Sequence, residues 1–208
     1  ADGPVIQRSS ERALARGAGT DYVFDCVRRF RERDADTPVV LMGYLNPVEI
    51  RGAARFASEA VAAGVDGVLL VDLPPEEAED FQQPFDAAGL ALVMLASPTT
   101  TAERAAMLCA HAQGYLYYVS YAGVTGADRL DTGAAGRRLQ ELRAGAKVPV
   151  VAGFGIKDAA SAKAMAVDAD GVVVGSALVS VLAEAGDADD AANRARAFLA
   201  PLRQAIDG

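Results

Sequence analysis

A chain of 208 residues fits a single domain, and with 51% hydrophobic residues it can bury a large core rather than stay disordered. Its 20 basic and 28 acidic residues give a net charge of −8, which argues against a nucleic-acid surface, since that needs a basic face. An anionic ligand would have to be held locally, by backbone N–H groups and dipoles. The longest apolar runs, such as residues 67–71 and 90–96, fall far short of the roughly 20 residues of a spanning helix, and no signal-peptide pattern opens the chain. The two cysteines, Cys26 and Cys109, lie far apart in helix-like stretches and read as reduced, buried thiols. Together these features point to a soluble cytoplasmic protein with no membrane or nucleic-acid partner.

In chain order, two helix-like stretches (residues 5–16 and 20–33) come first. Strand-like runs then begin near Val39, Gly67, Leu90, Tyr115, Val148 and Asp170, 22 to 33 residues apart, about the length of one strand-plus-helix unit. The gaps are amphipathic. Residues 49–63 place Ile50, Ala53, Phe56, Ala57, Ala60 and Val61 at helical spacing. Pro75 reads as a first-turn proline, and Thr100-Thr-Ala-Glu103 as a capping box opening a helix to about His111. Gly64, Gly89 and Gly114 each fall where a left-handed helix end is expected. Alternating strands and helices, with continuous β-branched strands, predict an α/β parallel sheet, either open and doubly wound or closed as a barrel. Six βα units are visible. An eight-unit barrel typically takes about 250 residues, so the count suggests a (β/α)8 TIM barrel forming one domain over residues 1–208, without its first two strands.

Two segments carry the chemistry. Val148-Pro-Val-Val-Ala-Gly-Phe-Gly-Ile156 and Asp170-Gly-Val-Val-Val-Gly-Ser-Ala177 are consecutive β-branched runs that end in glycine and lead into helix-like stretches. This is the pattern of a phosphate site on the last two strands of a barrel, where glycine lets backbone N–H groups approach and a helix N-terminus favours negative charge. A dinucleotide fingerprint is excluded, because its third glycine would fall on Asp158. The segment Ser120-Tyr-Ala-Gly-Val-Thr-Gly-Ala127 is a candidate lid or an ordinary connection. Asp72 ends a strand and reads equally as a functional carboxylate or a helix cap. Tyr44 and Tyr117 read as strand residues. The sole histidine, His111, sits at a helix C-terminus where a cation suits the dipole. One histidine and two distant cysteines leave no thiolate–imidazole metal site and no triad, although a carboxylate-held Mg²⁺ stays open.

Taken in order, Ala1-Asp-Gly-Pro-Val-Ile-Gln7, Leu41-Met-Gly-Tyr-Leu-Asn-Pro47, Val71-Asp-Leu-Pro74, Gly123-Val-Thr-Gly126, Gly153-Phe-Gly-Ile156 and Gly175-Ser-Ala177 resemble the tryptophan synthase alpha chain family over essentially all 208 residues. The resemblance implies a carbon–carbon lyase that needs no cofactor or metal. It would cleave indole-3-glycerol phosphate by a retro-aldol reaction to indole and glyceraldehyde 3-phosphate, and pass the indole to a beta subunit in an alpha2beta2 assembly for L-tryptophan synthesis. By the same resemblance, Asp2 would accept a hydrogen bond from the indole nitrogen, and Tyr117 would stand beside a second catalytic carboxylate. Thr125 would be the lid threonine, Tyr44 would line the indole pocket, and Asp72 would support the loops at the mouth. Gly126, Phe154, Gly155, Gly175 and Ser176 would cradle the phosphate.

The resemblance also sets an expectation of absence. The family's acid–base glutamate lies on the second strand, upstream of the Asp-Gly-Pro loop, and neither Glu11 nor Glu49 matches its motif. On this reading the 208 residues are part of a longer chain. Two other readings stay open: a catalytically silent phosphoester-binding subunit that activates a partner, and a different phosphosugar barrel enzyme, against which the Gly-Val-Thr-Gly loop argues.

Overall fold

The computed structural model describes residues 3–119, 132–153 and 155–208. Helices α1 (Pro4–Ala15) and α2 (Thr20–Arg31) precede β1 (Val40–Gly43), α3 (Leu45–Arg51) and α4 (Ala53–Ala63). Then come β2 (Gly67–Leu70), a 3-10 turn (Pro75–Glu77), α5 (Ala78–Ala88), β3 (Ala91–Ala96) and α6 (Ala102–His111). The last third holds β4 (Leu116–Tyr118), α7 (Thr132–Gly145), β5 (Val150–Ala152), α8 (Ala159–Ala166), β6 (Gly171–Val172), α9 (Ser176–Ala183) and α10 (Ala188–Asp207).

The strands pair in parallel in the order β1-β2-β3-β4-β5-β6. This order decides between the two closures. Right-handed crossovers that always advance to the next strand put every connecting helix on the same face, whereas a doubly wound sheet must reverse its order. The residue pattern agrees. Val68, Leu70, Leu92, Met94, Ala96, Leu116, Tyr118, Val150 and Ala152 point into one core shared with the helices. The alternating residues Leu69, Val93 and Tyr117 pack with Val40, Val71, Leu95 and Val151 in a second cluster that contains no helix residue. The first cluster is the layer between strands and helices, and the second is the concave inner face of a barrel arc.

The outer layer is held by aromatic contacts between units. Phe24 of α2, Phe56 of α4 and Phe85 of α5 stack in series, with ring centroids 5.7 and 6.3 Å apart. Burying each such ring contributes about 1.5–3 kcal/mol. Two sequence readings change here. Residues 49–63 do not form one helix, because Gly52 adopts φ 85° and divides α3 from α4. The capping threonine of α6 is Thr101, whose hydroxyl accepts from the Arg104 N–H, rather than Thr100. Of the two cysteines, both unpaired, Cys109 is buried and Cys26 is only partly so.

At the N-terminal ends of the strands one device occurs three times, on alternate strands. A side chain one to three residues before the next strand accepts an N–H at the start of the strand and also contacts the helix preceding that strand. Asp66 accepts from Val39 N–H at 2.7 Å and pairs with Arg31 of α2 at 2.6 Å. Gln113 accepts from Leu92 N–H at 2.8 Å and donates to Asp86 at 2.6 Å. Asp170 accepts from Val150 N–H at 2.8 Å and pairs with Arg143 of α7 at 2.6 Å. These clamps fix the closed end of the arc and leave the opposite end for chemistry.

Candidate active site

The carboxyl ends of the six strands carry those predicted site residues that the structure describes. Asp2, Thr125, Gly126 and Phe154 lie outside the described residues.

Tyr117 is on β4 and faces the concave side, 8% exposed and packed against Leu69 and Val93. Burial pushes its phenol above the ordinary value, and neighbouring Tyr115 pushes it further the same way. Tyr117 is therefore a neutral hydrogen-bonding group near pH 7, not a base. Its ring lies against the backbone of Gly153, where any side chain would collide with it. Tyr44 is not a strand residue. It follows β1 with extended backbone as the residue before α3, 39% exposed at the mouth.

Asp72 follows β2, and its carboxylate accepts the Leu45 N–H at 2.8 Å, fixing the start of α3 from the neighbouring unit. This contact is of the helix-capping kind, and it holds the loop that carries Tyr44. Asp72 also lines a cavity of about 260 Å³ with Val71, Leu95, Ser97, Thr100 and Arg104.

The two glycine turns lie side by side on β5 and β6, paired through Ala152 and Val172. Gly155 takes φ 58°, which favours glycine, and a Cβ there would have no heavy atom within 4 Å. The turn is locked on its far side. Asp158 caps α8 by accepting from Ser161 N–H at 2.8 Å, and the Ser161 hydroxyl accepts from the N–H groups of Lys157 and Asp158, both at 3.1 Å. Gly175 is the residue before α9 and Ser176 its first residue; both are exposed, and a Cβ on Gly175 also meets nothing within 4 Å. Helix starts leave N–H groups without intrahelical partners, and the helix dipole adds positive potential there. The arrangement suits an oxyanion bound by backbone groups.

Pattern reading missed three residues at this end: Glu76, Arg104 and Arg138. Arg104 holds Glu76 through two bonds of 2.8 Å, and Arg138 donates to the Thr100 carbonyl at 2.6 Å. Their partners are 28 and 38 positions away, beyond any local pattern. Among the described residues there is no group of three or more His, Cys, Asp or Glu side chains that could hold a metal, and no helix is long and apolar enough to cross a membrane.

A consecutive parallel arc with an apolar concave face, open glycine turns and a helix start at its carboxyl end defines the TIM-barrel class, with its site at the C-terminal face. Comparisons narrow the class. The family model described as tryptophan synthase alpha chain matches residues 1–207. The tryptophan synthase alpha chain of Xanthomonas axonopodis pv. citri is 71% identical over 208 residues, covering 100% of this chain and 78% of that protein. That of Xylella fastidiosa is 70% identical over 207 residues and is covered to 77% of its length. Among solved structures, the alpha subunit from Legionella pneumophila superposes with a TM-score of 0.90 at 47% identity, over 99% of this chain and 76% of that one. A structure of the tryptophan synthase a2b2 complex from Pyrococcus furiosus gives 0.89 at 36% identity, over 98% of this chain and 82% of that one. The chain belongs to the tryptophan synthase alpha chain family and, with it, to the lyases.

Proposed function

We propose that this protein cleaves indole-3-glycerol phosphate to indole and glyceraldehyde 3-phosphate as the alpha subunit of a tryptophan synthase. The family match over residues 1–207 carries the reading. The open turns at Gly155 and Gly175 support it, as a backbone cradle for the phosphate together with Ser176, Gly126 and Phe154.

The chemistry assigns the remaining roles. A proton is delivered to C3 of the indole ring, and the ring nitrogen becomes more acidic as positive charge develops. Asp2 accepts the N–H hydrogen bond, which strengthens in the transition state. The glycerol hydroxyl next to the breaking bond loses its proton and becomes the aldehyde carbonyl. The carbon–carbon bond breaks with its electron pair returning to the indole ring. One proton is given and one is taken, so a single carboxylate can shuttle both. Tyr117, neutral and rigidly packed, orients that carboxylate. Tyr44 lines the indole pocket, Asp72 holds Tyr44's loop, and Thr125 couples loop closure to Asp2 and excludes water.

The shuttle carboxylate and the closure of the barrel belong, on this reading, to a segment outside these 208 residues. Support comes from the relatives' greater length, since the chain covers 78% of the Xanthomonas protein. The sheet itself adds support: β1 and β6 do not pair with each other, and Met42, in register with the concave-facing Leu69, is 54% exposed. A beta subunit is the proposed consumer of the indole, supported by the assembled a2b2 complex of the Pyrococcus relative. The test is glycerol 3-phosphate binding followed by calorimetry. Binding that is lost in Gly175→Ala supports the cradle, and binding unaffected by that change places the phosphate elsewhere.

A further inference from the structure

At the carboxyl end of the arc, the first four units are tied in series by three contacts between neighbouring units. Asp72 of the loop after β2 accepts the Leu45 N–H of α3 at 2.8 Å. Two prolines, Pro74 and Pro75, stiffen the short path from Asp72 to Glu76. Glu76 then takes both bonds of the Arg104 guanidinium on α6, each 2.8 Å, in the bidentate geometry that fixes both partners. Arg104 N–H donates to the Thr101 hydroxyl, and the turn before it is closed by Ser97 N–H donating to the Thr100 hydroxyl at 2.9 Å. Arg138 of α7 completes the series, donating to the Thr100 carbonyl at 2.6 Å while its other arm holds Glu141 at 2.7 Å.

The last link differs from the others in its burial. The Arg138 side chain is only 19% exposed, although it meets a loop carbonyl rather than a carboxylate partner in another unit. An arginine that is mostly withdrawn from water to hold one loop in place is justified by what that loop supports. Ser97 and Thr100 of this turn, with Asp72 and Arg104, line the cavity beside the site. The turn's outer carbonyl is thus held from α7, the helix that follows the Gly123-Val-Thr-Gly126 motif in sequence.

We propose that Arg138 is a positioning residue, acting through this belt of contacts to set the loop that carries Tyr44, three units away. Contiguous hydrogen-bonded networks carry such coupling. The consequence for substrate rests on the function proposed above; the belt itself does not.

Amide hydrogen exchange on the chain tests the belt directly. Arg138→Met is expected to speed exchange at the Ser97 and Leu45 amides at least tenfold, and to leave Val39 and Val150, clamped at the opposite rim, unchanged. Arg138→Lys, which can still donate to the Thr100 carbonyl, is expected to keep Leu45 within threefold of the unaltered protein. An unchanged Leu45 amide in Arg138→Met overturns the proposal. So does equal acceleration at Val39 and Val150, which would make Arg138 a general stability residue. In the enzyme assembled with its partner, Arg138→Met is expected to raise KM for indole-3-glycerol phosphate at least fivefold with kcat within twofold. An unchanged KM removes its positioning role. An assembled enzyme with no turnover before any substitution contradicts the proposed reaction, and the exchange result still decides the belt.

Discussion

The ring of Tyr117 occupies the space that a side chain on Gly153 would need: two ring carbons lie 2.5 and 2.6 Å from the ideal Cβ position, and the phenol oxygen lies closer still. The glycine at the end of β5 and the tyrosine on β4 are therefore one fitted pair, and the fit sets where the phenol stands in the concave face.

Gly153→Ala should destabilise the protein by about 1–3 kcal/mol, because the added methyl forces a well-packed ring to move. In a Tyr117→Leu background the same alanine should cost clearly less. Urea unfolding of the four proteins gives the comparison, and equal costs in both backgrounds would mean that the ring is not what excludes the methyl.

The pair also marks the boundary between what was legible in the chain and what was not. The strand starts near Gly67, Leu90, Tyr115 and Asp170 fell within a residue or so of the observed ones, because strands covered on both faces are continuous apolar runs between punctuating glycines. The glycine turns at Gly155 and Gly175 were legible for a related reason: they end those runs. Tyr117 against Gly153 was not legible, since 36 positions separate two residues that only the parallel register of β4 and β5 brings together. Arg138 on Thr100 was hidden in the same way. Local errors had local causes. The division at Gly52 fell inside an otherwise helical pattern, where a glycine is ambiguous, and three consecutive threonines before α6 left the cap uncertain by one residue. Tyr44 was misplaced by a single residue beyond β1.

Acid should weaken the β5–β6 clamp. The Val150 N–H first, and then Arg143, hold the Asp170 carboxyl below its ordinary value of 3.8. A carboxyl whose pKa is depressed by folding contributes stability that is complete above the ordinary value and is lost as pH falls through the depressed one. Asp170→Asn should therefore lower Tm at pH 7, and the gap from the unaltered protein should narrow as pH falls below about 4. A gap that stays constant with pH would show that the charge contributes nothing.

Gly175→Ala should leave Tm nearly unchanged, since a Cβ there meets no heavy atom within 4 Å. It should weaken glycerol 3-phosphate binding at least about tenfold by blocking close approach to the start of α9. Calorimetric titration of both proteins reads the effect, and matching affinities would remove Gly175 from the cradle.

Asp2→Ala should lower indole formation by at least about tenfold without unfolding the chain, the cost of removing an acceptor that acts most strongly in the transition state. Turnover near that of the unaltered enzyme would take Asp2 out of the mechanism.

The measurement that bears most directly on the central claim is indole release from indole-3-glycerol phosphate. It would compare the 208-residue chain with the same chain extended by the residues that its relatives carry beyond the matched region. The account predicts release by the extended form alone, with the shuttle carboxylate supplied by the added segment. Release by the 208-residue form would contradict the assignment of that carboxylate. An extended form that binds the phosphoester yet releases no indole would contradict the lyase reading of this chain and leave a silent binding subunit in its place.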